Sequence, residues 1–483
     1  MRISNVARIF SSIAVSSGLL LSMTAAAPAH PTKRGQSITV LSIEDPFYFQ
    51  LRKVLPEFEK STGIHVKLEG VSYNAMHAEM VNASITHSST FDVLTPDAMW
   101  ISEFADNGWI VPLNKYIHAD RAQVQPRNLI PNVVWSLDEW NGQLYTLPIA
   151  AYGMDVLYRT DVFKALHLRM PPTTLKGNAW WTWAQYLKDV KAINGKTVNG
   201  HKLYGTVVAG QQPSPIVHMY TQLAASVGAR WFKAFPAAAH WNFAPTINSS
   251  ANVRAMTMFK ELYHYSPPSS DNMNWFEAGT AFAQGHVGMM YWWTPYNYLV
   301  DKAGYEVSQP SPIVGKYAVG VLPRMPGVKQ TTSIGGYGLA ISAFSHKKAA
   351  AFKFIAWATS AQTEAQMALQ RGYQYDDFAR YSLYKSPSLI AHYPWLPTQL
   401  KVMESGNGKA VRPPIPIYYT LEGLYGTALN QMIRGVMTPS ATARNVESEF
   451  KSVLGDDSYL PYVGLSYNDT LSKTAQLLNG LAK

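Results

Sequence analysis

Residues 38–68 force the first decision about this chain. Residues 38–43, ITVLSI, form an apolar run short enough for a buried strand, and the run stops at Glu44-Asp45. Pro46 suits a first helical position, after which Phe47, Leu51, Val54, Leu55 and Phe58 fall on one helical face until Gly63 ends it. Ile64, Val66 and Leu68 then alternate as a second strand. Strand, helix, strand is a βαβ unit, because a parallel pair needs a long crossover rather than a tight turn. Residues 91–113, FDVLTPDAMWISEFADNGWIVPL, repeat the theme: Phe91, Val93 and Leu94 make a short strand, Thr95-Pro96-Asp97 stops it, and a helical stretch begins at Ala98. The class is therefore α/β. Glu44, Asp45 and Asp97 stand at carboxyl ends of strands, where open α/β sheets bind small ligands. The simplest use of Asp45 or Asp97 is to cap the next helix.

The N-terminus reads as a secretory leader over residues 1–29. Arg2 and Arg8 supply the positive region, an apolar stretch too short to span a bilayer follows, and Ala27-Pro28-Ala29 gives an A-x-A cleavage site. Arg2 and Arg8 are not adjacent, which argues against a twin-arginine signal. With no cysteine anywhere, disulfides and a lipid anchor are excluded, and a soluble periplasmic protein is expected. The remaining chain of about 450 residues is too long for one ordinary core. Its formal charge is +10, or +8 once Arg2 and Arg8 leave with the leader, but no run of five basic residues marks a nucleic-acid arm.

Six segments, in order, resemble the family 1 extracellular solute-binding proteins of ABC transporters. They are PEFEKSTGIHVKLE (56–69), FDVLTPDAMW with FADNGWIVPL, NGQLYTLPIAAYGMDVLYRTDVF (141–163), FAQGHVGMMYWW (282–293), IGGYGLAIS (334–342) and AAAFKFIAWATSAQTEAQ (349–366). The resemblance implies a two-lobed periplasmic binding protein fold of type II, each lobe a mostly parallel sheet flanked by helices, with the ligand cleft between them. It implies an N-terminal lobe of residues 36–148 and 326–371, and a C-terminal lobe of 149–325 and 372–483. It also implies a monomer that serves a membrane permease whose ATPase is another chain. Within the later segments, Ser345 suits the cap of one long helix over residues 347–369.

Sugars and polyols offer hydroxyls to carboxylates and apolar faces to aromatic rings, so a site for them mixes the two. On the positions that match the family, the resemblance assigns the ligand to Glu44, Asp45, Asp97, Tyr152, Trp292, Gly336 and Tyr337, with Trp293 in the core. It adds Arg380 from RGYQYDDFARYSLY, where the family's proline is missing; the bland use of Arg380 is an ion pair with Asp376 or Asp377. No cofactor or metal is expected. There is no G-x-S-x-G, no H-E-x-x-H, and Gly408-Lys409 lacks the flanking residues of a phosphate loop. Tyr418-Tyr419 is better read as packing than as an iron site. Two rivals stand beside the sugar or polyol reading: a phosphorylated polyol or acidic sugar in the same fold, and a secreted carbohydrate-active enzyme working with two carboxylates.

Overall fold

The computed structural model describes residues 36–236, 241–294, 311–455 and 471–483; the expected leader lies outside them. Strand β1 (Ser37–Ile43) pairs in parallel with β2 (His65–Val71) on one side and with β3 (Val93–Leu94) on the other. Between β1 and β2 runs α1 (Pro46–Thr62), with Pro46 in its first turn and left-handed Gly63 (φ 69°) closing it. Phe47, Leu51, Val54 and Phe58 bury the face that the 3.6-residue spacing marked. Helix α2 (Tyr73–Ile85) follows β2 at once.

The two-lobed α/β fold is organised by β4 (Leu147–Arg159), thirteen residues long and buried throughout. Its first half pairs antiparallel with β7 (Ile334–Ile341), and β7 in turn pairs antiparallel with β3. Its second half is flanked antiparallel by β5 (Met289–Trp293) and β6 (Tyr317–Gly320). One seven-stranded sheet results, in the order β5-β4-β7-β3-β1-β2 with β6 also on β4. Among the described residues, parallel strand pairing, expected for both lobes, is found between β1 and its neighbours β2 and β3, and elsewhere only as isolated bridges such as Tyr204 with Val287. Strands that shuttle between the two halves of a molecule return in the opposite direction, so their pairs are antiparallel. β4 runs unbroken through the expected lobe boundary at 148–149.

The long helix expected over residues 347–369 is two helices, α5 (Lys348–Ala358) and α6 (Ala361–Ala368). Ser360 breaks it by accepting the Thr363 amide at 3.2 Å, a local bond that competes with helix continuation. Ser345 does not cap α5: its hydroxyl accepts from the Lys347 amide and donates to Asp92 at 2.6 Å. Two further helices matter for the site, α3 (Ser214–Ser226) and α4 (Trp275–Ala283), followed by α7 (Gly408–Val411) and α8 (Tyr418–Ile433) near the C-terminus.

Candidate functional site

All three parallel strands end at one cavity of about 180 Å³. Glu44 and Asp45 follow β1, Tyr73 opens α2 just past β2, and Asp97 follows β3. Tyr152 of β4 and Gly336 and Tyr337 of β7 form the floor, and the far wall is His218, Trp275, Phe276, Trp293 and Arg412. Of the residues assigned from sequence, Glu44, Asp45, Asp97, Tyr152, Gly336 and Tyr337 meet here.

Asp97 caps a helix and also lines the cavity. Its carboxylate accepts the Met99 amide at 2.8 Å, capping the short 3-10 helix Ala98–Trp100, while its backbone bridges to Tyr337. Burial pushes its pKa up to about 6, against the lowering effect of Arg412 and of the Met99 amide. Asp45 precedes α1 but makes no side-chain cap; instead it accepts the Tyr152 hydroxyl at 2.6 Å. Burial raises its pKa to about 6 as well, with the Tyr152 bond acting in the opposite sense. Both carboxylates are thus ionised at pH 7 and protonated below about 6.

Gly336 sits at φ 111°, and a Cβ there would lie 2.0 Å from the Ala150 carbonyl oxygen. Only glycine permits that close crossing of β7 over β4. Gly335 opens space on the other side, since its Cβ would meet Arg412 Nη2 at 2.6 Å and Trp293 at 2.9 Å.

Two assignments do not hold in the structure. Trp292 is fully buried and absent from the cavity lining; Trp293, expected in the core, lines it. Every residue of β5 is buried, so both faces of the strand are apolar and alternation cannot tell which tryptophan faces the ligand. Arg380 is also fully buried away from the cavity. Its guanidinium donates to the Thr359 carbonyl at the end of α5 and to the Val124 carbonyl at 2.8 Å, and its carboxylate neighbour is Glu364 at 3.9 Å, not Asp376 or Asp377. It is a helix C-terminal clamp.

Sequence reasoning missed Tyr73, His218, Trp275, Phe276 and Arg412. Tyr73 obeys the rule that found Glu44 and Asp97, since it closes the loop after a parallel strand. Arg412 lies in RPPIPIYY, read as packing. It is buried, stacks over Trp293 with its guanidinium carbon 5.1 Å from the ring centre, and donates through Nη1 to His218 Nε2 at 2.7 Å. Behind it, Glu422 of α8 accepts the Ser214 and Tyr418 hydroxyls at 2.7 and 2.6 Å. Burial alone would raise Glu422, but its contacts, among them the Tyr418 hydroxyl and the Arg412 charge, outweigh it and hold the carboxyl below its ordinary range. Burial, reinforced by Arg412, lowers His218 to about 4.

Several buried polar atoms of this lining have no hydrogen-bond partner among the described residues: Tyr73 Oη, His218 Nδ1, Trp275 Nε1 and Arg412 Nε. Among the described residues no group of three or more His, Asp or Glu is arranged to hold a metal, and Tyr418 and Tyr419 face different neighbours, Glu422 and His77.

Residues 48–365 match the model of the bacterial extracellular solute-binding protein family. A probable ABC transporter-binding protein of Deinococcus radiodurans is 22% identical over 91% of this chain and 97% of its own length. A mannitol-binding protein of Pseudomonas aeruginosa is 25% identical over 67% of this chain and 69% of its own. Among solved structures, an ABC transporter solute-binding protein from Agrobacterium radiobacter K84 in complex with ribitol superposes with a TM-score of 0.77 at 27% identity, covering 87% of this chain and 99% of that one.

Proposed function

Because this chain belongs to the bacterial extracellular solute-binding protein family, we propose that it captures one neutral polyhydroxylated molecule, a polyol or a single-ring sugar, and hands it to the permease of an ABC importer. The observation that carries the reading is the pairing, around one cavity, of carboxylates Asp45 and Asp97 with aromatic faces and unpartnered donors. Hydroxyls donate to the carboxylates and accept from the donors, while C–H faces pack on Tyr337, Trp275 and Trp293. The size supports a single small molecule: the cavity's 180 Å³ is close to the roughly 150 Å³ that accommodates benzene in an engineered protein. The complexes of similar proteins with ribitol and mannitol agree.

Arg412 is the one feature that favours an acidic ligand. It stands beside Asp97 and near ionised Glu422, however, so an incoming anion meets net repulsion there. Binding without turnover is part of the same proposal, supported by the chain's membership of a family of solute-binding proteins. Capture works by population shift, a ligand that touches both walls favouring the closed form. The remaining assignments belong to the same proposal: lobes of 36–148 with 326–371 and of 149–325 with 372–483, a leader removed after Ala29, no lipid anchor, and a periplasmic monomer.

The test is thermal unfolding in the presence of ribitol, D-mannitol, D-glucose, D-glucuronate and glycerol 3-phosphate. A ligand that binds only the folded state raises the melting temperature by mass action. Stabilisation by neutral compounds with no product formed supports the reading. Stabilisation by glucuronate or the phosphate ester alone refutes it, and conversion of any compound moves the protein to the enzymes.

A further inference from the structure

His218 stands between the ligand cavity and a buried charge network, and one of its nitrogens is already committed. Nε2 lies 2.7 Å from Arg412 Nη1 and 3.1 Å from Glu422 Oε1. A single imidazole nitrogen cannot accept from the first and donate to the second. A guanidinium has only hydrogens to offer, so Nε2 must present its lone pair to Arg412. Glu422 does not depend on the histidine, since Ser214 and Tyr418 hydroxyls already donate to its two oxygens. A second proton on the ring is disfavoured by burial and by the neighbouring Arg412 charge. The remaining proton of a neutral ring therefore sits on Nδ1, which is buried, has no partner among the described residues, and belongs to a side chain lining the cavity. Ring contacts fix the orientation: Trp275 packs at 5.4 Å and Trp293 meets it edge-on at 5.6 Å.

We infer that His218 is a specificity-determining residue, locked by Arg412 into the neutral Nδ1–H tautomer so that it donates to an oxygen of the ligand. The inference rests on the cavity being the ligand site. It predicts selection by chemistry: a hydroxyl or ring oxygen accepts this donor, whereas an ammonium group, which has no lone pair, cannot. Amino sugars that place their cation against Nδ1 lose this bond, and the corresponding neutral sugars keep it.

Nitrogen-15 NMR of histidine-labelled protein reads the tautomer directly and needs no ligand. The expected result is an unprotonated Nε2 and a protonated Nδ1 on His218, unchanged between pH 5.5 and 8, with Arg412→Met moving the proton to Nε2 toward Glu422. A protonated Nε2 in the wild type, or titration of the ring within that range, overturns the inference. Titration calorimetry with ribitol and D-mannitol supplies the second arm. His218→Phe is expected to weaken binding of whichever polyol the wild type takes by about tenfold, and His218→Asn, which keeps an N–H donor, by no more than a few fold. Equal losses in both variants refute the donor role. If the wild type binds neither polyol nor D-glucose while the tautomer is as stated, the ligand reading fails and the locked ring stands.

Discussion

Asp97 holds a helix start with a carboxylate that also lines the cavity, so its substitutions separate the cap from the proposed ligand contact. Asp97→Asn keeps a capping oxygen and is expected to cost little stability while lowering polyol affinity about tenfold, since a charge-assisted bond is worth about 1.5–3 kcal/mol. Asp97→Ala should show the same loss in calorimetry and an added destabilisation of about 1 kcal/mol. The affinity should also depend on pH. Asp45 and Asp97 accept hydroxyl protons best when ionised, and both titrate near pH 6, so the affinity measured at pH 5 should fall by roughly tenfold per carboxylate engaged relative to pH 7.5. A flat profile would mean that neither carboxylate touches the ligand. Trp292 gives the opposite expectation to its neighbour. Trp292→Ala removes a fully buried ring and should cost about 3–5 kcal/mol in chemical denaturation, whereas Trp293→Ala also strips the stacking surface from Arg412 and should reduce affinity.

The break between α5 and α6 shows how short elements are positioned by what lies across from them. Ser360 starts α6, and the carbonyl of Thr359 that α5 leaves behind is taken by the Arg380 guanidinium. Removing that partner leaves the buried Thr359 and Val124 carbonyls without a donor, while Glu364, pushed up to about 8 by burial, leaves no bare charge at pH 7. Arg380→Met should therefore lower stability by about 1–3 kcal/mol per orphaned carbonyl, measured by denaturant unfolding, and leave the polyol affinity of the folded protein unchanged. An affinity loss at constant stability would return Arg380 to the site. Gly336 sets the other limit at this scale: Gly336→Ala pushes a methyl into the Ala150 carbonyl, so β7 must shift, and with it Tyr337 and the cavity floor.

Across the whole molecule, most of the buried carboxyls among the described residues act in one direction. Burial lifts Asp189 and Asp376 to about 6 and Glu364 to about 8, and pushes Asp138, Asp155 and Asp377 well above the usual range. A carboxyl raised in the folded state contributes stability that is complete below its unfolded pKa, about 4, and is lost as pH rises through the folded value. Glu422 and Asp161, both held low, act in the opposite sense and lose their contribution only as pH falls below about 4. The melting temperature should therefore be higher at pH 5 than at pH 8 at matched ionic strength, although ligand affinity falls over the same interval. A maximum near pH 8 would contradict the upward shift that burial gives Asp155 and Asp377.

Local chemistry settled much of this protein in advance. The βαβ start, the stops at Asp45 and Asp97, the single-face burial of α1 and the glycines of β7 rest on spacing and backbone preference, which act within a few residues. The far wall of the cavity is different in kind. Arg412, His218 and Trp275 lie far apart in sequence and meet only because β4 and β7 carry the chain between two halves of the fold. Nothing near Arg412 separates a ligand-facing arginine from Arg380, which is equally buried and serves a helix end. The choice between Trp292 and Trp293 also waited on the fold, because a strand covered on both faces carries no polar side to mark its direction. Position along the chain decides which groups can start a helix or end a strand; which of them share a cavity, and in what protonation state, is decided by what the tertiary structure buries beside them.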